Sequence, residues 1–138
     1  MKINAAEIFE EITGFYKIIP LNTLRRTKGV AFDNIPLEAL PRIDAIDRVI
    51  HESSAISPGP VGEVARPWYM HPHQDDNLVV LHGVRLVDIY TKKHGKIESF
   101  EVTADRIVKT DTVVYDGPAM LVWPRGVLHR IESLRGGY

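Results

Sequence analysis

The chemistry-bearing side chains of this sequence concentrate in two short runs, Met70-His71-Pro72-His73-Gln74-Asp75-Asp76-Asn77 and Pro124-Arg125-Gly126-Val127-Leu128-His129. Imidazole is the commonest protein ligand for first-row divalent metals, and three protein donors with open positions suit catalysis. His71 and His73 stand two residues apart, which puts both side chains on one face if the segment is a strand. A helix would not bring them together. A third imidazole must then come from another strand, and His129 is the candidate. It follows the turn-like Pro124-Arg125-Gly126 and precedes the alternating Arg130-Ile131-Glu132.

The chain has no cysteine, so a transition metal must be held by nitrogen and oxygen donors, and no disulfide framework is available. Asp76 and Asn77 are the candidates for a further ligand, with water as the alternative. Three neutral imidazoles leave a divalent ion at its full charge, whereas one carboxylate lowers that charge and tightens the hold. Asp75 and Asp76 together could also serve acid–base work, or stand solvated beside a turn. Tyr69 and Trp123 flank the histidines in sequence and are expected to wall a substrate pocket, as could Trp68 and Met70. Arg66, Arg125 and Arg130 could grip a carboxylate or phosphate bidentately; Arg66 and Arg130 are the pocket candidates, and Arg125 reads as a surface charge. His82 and His94 read as turn residues, and His51 as a strand residue without assigned role.

The elements that must position these groups read as one domain: 138 residues, 44% hydrophobic and 25% charged, suffice for a single core. With 17 basic against 18 acidic residues and no block of like charge, the sequence carries no electrostatic footprint for nucleic acid. No run of 18 apolar residues and no signal-peptide core is visible, so neither a membrane partner nor export is expected, and the expected location is cytoplasmic. Residues 5–13 predict a short amphipathic helix, with Ala5, Ile8, Phe9 and Ile12 on one face, Asn4 and Glu7 as capping pair and Gly14 as terminator. Residues 15–41 are broken by Pro20, Gly29, Pro36 and Pro41 and read as an extended arm with one or two edge strands. This sets residues 1–45 as helix and arm and residues 46–138 as the main body. There, strands are predicted over residues 46–51, 68–73, 78–81, 85–91, 97–103, 106–109, 112–115, 119–123 and 128–133. Turn signals without helical spacing separate the later ones, which argues for an all-β, antiparallel sandwich or barrel. In the strand from Val84, Arg85, Val87 and Ile89 share one face, and Val84, Leu86 and Asp88 the other.

Residues 66–133 resemble the cupin superfamily. The first cupin motif is matched by His71, His73 and Gly83, and the second by Gly117, Pro124, Gly126 and His129. The family's glutamate falls on Asn77 when counted from His73 and on Asp76 when counted back from Gly83. Its terminal asparagine is Ser133 here. The resemblance implies a jelly-roll (double-stranded β-helix) barrel and a homodimer. It also implies a divalent metal, Fe, Mn, Zn or Ni, acting on a small carboxylate or sugar as an oxygenase, isomerase or lyase. Further strands usually follow the second motif, so the barrel is expected to be completed by N-terminal strands, a partner's strands or residues beyond Tyr138. Residues 77–90, followed by His94-Gly95-Lys96, are also similar to the metal-free sugar-nucleotide 3,5-epimerases, which implies a histidine base. A non-catalytic sensor or ligand-binding module is the third alternative.

Overall fold

A computed structural model describes residues 8–39, 43–52 and 54–133. Its strands are β1 (Glu10–Ile12), β2 (Tyr16–Pro20), β3 (Asn22–Thr27), β4 (Val30–Asn34), β5 (Ile56–Ser57), β6 (Tyr69–Met70) and β7 (Asp76–Leu78). They continue as β8 (Arg85–Tyr90), β9 (Ile97–Thr103), β10 (Arg106–Lys109), β11 (Thr112–Asp116), β12 (Ala119–Trp123) and β13 (Leu128–Ser133), with a 3-10 turn at Leu37–Ala39. No α-helix occurs among the described residues, and no helix is long and apolar enough to cross a membrane.

Strands β1-β2-β12-β7 form one antiparallel sheet and β11-β10-β9-β8-β13-β5 a second, with β6 also pairing β13 and β3-β4 standing apart as a hairpin. Neither sheet closes into a barrel. Alternation explains how the two large sheets meet. On β8 and β9, Val87, Ile89, Phe100 and Val102 are buried, and they join Tyr16, Ile18, Leu121 and Trp123 of the facing sheet in one cluster. Each such fully buried side chain contributes about 1.5–3 kcal/mol relative to exposure. Strand β12 is buried along its whole length because its other face, Met120 and Val122, packs with Ile19 under Leu21, Ile35 and Val79.

The sequence-predicted strands from Arg85 onward fall where expected, to within a residue at their ends. Upstream the structure differs. The helix predicted over residues 5–13 lies partly outside the described residues, and its described part is strand. Glu10–Ile12 turns through Gly14, at φ 79°, and pairs with β2, while the Phe9 N–H donates to the Ile18 carbonyl at 2.9 Å. An isolated helix of that length is marginal in water, whereas the hairpin extends a sheet whose next strand is already buried. The strand predicted over residues 46–51 is absent. Ile46 (85% exposed) and Val49 have no partner strand there to satisfy an extended backbone. The segments predicted over residues 68–73 and 78–81 shorten and shift to β6 and β7. The N-terminal arm is integral to the body: β2 pairs with β12, and Phe15, Tyr16 and Ile18 sit in the main cluster.

Candidate metal centre

Three segments deliver three donors to one point. His129 is the second residue of β13, on the face shared with Ile131 and Ser133, and it registers with buried Ile89 of β8. Asp76 opens β7 opposite Trp123 of β12, and partners across an antiparallel pair share a face, so its carboxylate looks inward. Asn77 registers instead with Val122, on the opposite face. Strand alternation therefore decides between the two adjacent candidates. His71 lies in the bend between β6 and β7 and is held through its backbone, since the Gly126 N–H donates to its carbonyl at 2.9 Å. The Arg125 N–H donates to the Asp75 carboxylate at 2.9 Å, so the two chemistry-bearing runs of the sequence are stitched side by side.

The His71 Nε2 lies 3.5 Å and the His129 Nε2 3.7 Å from the Asp76 Oδ2. All three donor atoms fall within 4.8 Å of one another, and the two imidazole centroids are 4.9 Å apart. Metal bonds of about 2.1 Å at tetrahedral angles place neighbouring donors about 3.4 Å apart. The carboxylate-to-imidazole distances are a few tenths of an ångström from that spacing, and the donor set, two nitrogens and one oxygen, suits Fe, Mn, Zn or Ni. The trio thus fits a divalent ion. Burial pushes the pKa of His129 below its ordinary 6.5, with the Asp76 carboxylate pulling the other way, so the ring offers a free lone pair at neutral pH. Its Nδ1 lies 3.4 Å from the Val127 carbonyl, which leaves Nε2 as the donor facing the trio.

A cavity of about 280 Å³ opens over these donors, walled by His51, Tyr69, Trp123 and Ile131. Trp123 packs 5.2 Å from the His129 ring, and its buried indole N–H has no partner among the described residues. Gly126 holds this arrangement at a φ of 85°, a conformation that favours glycine. A Cβ there meets nothing within 4 Å, so the cost of Gly126→Ala is conformational alone. We expect the urea midpoint to fall by the equivalent of about 1 kcal/mol at unchanged m-value. An unchanged midpoint would show that the turn relaxes freely.

The other sequence candidates are placed as follows. His73 stands exposed in the bend after Pro72, outside the trio, because the segment is not a strand and the two-residue alternation does not operate there. Asp75 points away from Asp76 into a surface network with Arg125, and its N–H donates to Asp44. Tyr69 and Trp123 line the cavity. Arg66 and Arg130 do not: Arg66 pairs with Glu132 at 3.1 Å, and Arg130 pairs with Asp88 at 3.0 Å while lying 4.2 Å over the Trp68 ring. Arg130 and Glu132 are on the outward face of β13, where alternation puts them, and Arg66 reaches Glu132 from the segment before β6. His94 sits in a turn, stacked on Phe15. Among the polar groups that sequence reasoning left unassigned, the fold buries His51, Arg85 and Glu98, the last paired with Lys96 at 3.0 Å. For Arg85 the signal was present, since it shares its strand face with Val87 and Ile89. No protein-family model, curated protein or solved structure matches this chain.

Proposed function

We propose that this chain is a cupin-type, metal-dependent enzyme for a small oxygenated acid or sugar, with His71, Asp76 and His129 holding one divalent ion. The convergence of these three donors at the mouth of a cavity is the observation that carries the reading. Bound there, the ion would act as a Lewis acid on a substrate oxygen. The chain's own residues supply the rest. Trp123 and Ile131 give the cavity apolar walls that limit water, Tyr69 offers a phenol at its edge, and the Asp76 carboxylate sets the charge of the site. Isomerase, lyase and oxygenase chemistry all fit this arrangement, because the remaining pocket residues select the reaction. A homodimer belongs to the same reading, supported by Leu24, Val30 and Phe32 left exposed on the β3-β4 hairpin.

The 3.5 Å His71–Asp76 contact supports a second reading, a metal-free epimerase in which a carboxylate-oriented imidazole takes a proton next to a carbonyl. Elemental analysis separates the two. After reloading with Fe, Mn, Ni or Zn and desalting, the metalloenzyme reading expects about one equivalent per chain, and less than about a tenth of an equivalent overturns it. In that case stabilisation by nucleotide sugars in a thermal-shift assay becomes the expected result.

A further inference from the structure

Arg85 opens β8 on the inward face, registering with the fully buried Val102 of β9 and Ser133 of β13. Only 9% of the residue is exposed, and its Nη1 is buried without a hydrogen-bond partner. No carboxylate pairs with it among the described residues, although Arg66 and Arg130, which lie against or on β13, each have one. A guanidinium cannot shed its charge at any ordinary pH, so a buried one without an anion is costly unless something supplies the charge. His51, 6% exposed, likewise has a buried Nδ1 without a hydrogen bond within ordinary distance. Burial, and next the Arg85 charge, push the His51 pKa down, with the Ala55 backbone pulling the other way.

Both residues line a second cavity, of about 480 Å³, and His51, Leu78 and Ile131 are walls common to it and to the cavity over the donor trio. We propose that Arg85 and His51 form an oxyanion subsite that receives the carboxylate or phosphate of a small ligand whose other end lies at the His71–Asp76–His129 trio. The guanidinium supplies a planar pair of N–H donors, which matches either oxyanion. His51 adds a further N–H. On β13, the register partners of Arg85 and Ile89 are four residues apart, about 13 Å of strand, so the oxyanion sits several bonds from any group at the trio. This excludes a single compact group such as carbonate spanning both. It fits a phosphorylated or terminally carboxylated small substrate.

The subsite deepens the proposed function but does not need the metal, and the test keeps the two apart. Metal-free and metal-loaded protein are titrated by calorimetry with inorganic phosphate and with succinate, at constant ionic strength held by sodium chloride. Saturable binding of at least one probe at millimolar concentration or tighter is expected in both forms, and the probe that binds distinguishes phosphate from carboxylate. Arg85→Gln is expected to weaken that binding at least about tenfold while leaving metal stoichiometry unchanged. Arg85→Lys, which keeps a cation in the same space, should retain part of it. Should neither variant fold, the arginine side-chain Nε–Hε resonances of the ¹⁵N-labelled wild type serve instead: a solvent-protected one must shift saturably with the probe. Absence of saturable binding by the wild type up to about 50 mM of either probe, equal binding by Arg85→Gln, or an unmoved protected resonance would each overturn the subsite. Loss of metal binding with retained anion binding would instead overturn only the metalloenzyme reading.

Discussion

Replacing His129 by alanine is expected to abolish stoichiometric binding of a divalent ion. Of the three donors this ring is the most enclosed, its side chain only 6% exposed, and it is fixed on a central strand between β8 and β5. Burial keeps it unprotonated, so the wild-type protein holds a lone pair ready at neutral pH. The remaining imidazole and carboxylate provide two donors from a bend and a short strand, too few for the four-coordinate minimum without two or more waters. We expect affinity to fall at least about 100-fold, more than the ten- to hundredfold typical of disturbing a group that merely orients a metal ligand. At a metal concentration about 100 times the wild-type Kd, binding adds about 2.7 kcal/mol to stability. The variant should lose nearly all of that increment, read as the difference in denaturant midpoint with and without metal. A metal-induced shift equal to wild type would remove His129 from the site.

Asp76→Asn should weaken metal binding at least about tenfold, whereas Asn77→Ala should leave it within about threefold. The two residues are neighbours, yet β7 sends their side chains to opposite faces, Asp76 with Trp123 and Asn77 with Val122. Asp76→Asn preserves shape and removes the charge, so the effect isolates the carboxylate: with two neutral imidazoles, the ion's net charge returns from +1 to +2. Without the carboxylate the cation loses the one negative charge that attracts it, and the predicted outcome is weaker metal retention during desalting, with any anion held at the ion becoming more tightly bound. If Asn77→Ala loses metal and Asp76→Asn does not, β7 is out of register by one residue, which inverts both faces.

The two histidine-containing runs were legible because their residue types are rare and their chemistry narrow, and the six strands from Arg85 onward followed from local alternation and turn residues. The pairing of His71 with His73 was not recoverable in the same way. Its premise was a strand through Pro72, and the structure has a bend there, with β6 ending at Met70 and β7 starting at Asp76. Likewise, residues 5–13 carry a helical spacing of apolar residues that also suits a hairpin whose alternate residues lie against β2. In the described part, Glu10–Ile12, pairing with β2 selects the strand. Arg66 and Arg130 were read as pocket residues from their type; the outward face of β13, which carries Arg130 and the Glu132 that Arg66 pairs with, reassigns them to ion pairs.

By itself, the sequence determined that the chain is all-β in its main body and that any transition metal must be held by nitrogen and oxygen donors, since there is no cysteine. It also determined that His129 stands on a strand separate from His71. These are properties of residue type and short-range periodicity, which need no knowledge of partners. The tertiary structure decided which candidates meet. The choice of Asp76 over Asn77, the exclusion of His73 and the burial of Arg85 all depend on which strand lies across from which, and in what register. A shift of one residue in that pairing exchanges the two faces of a strand, so the identity of a site built between strands is set by long-range contacts that no local pattern encodes.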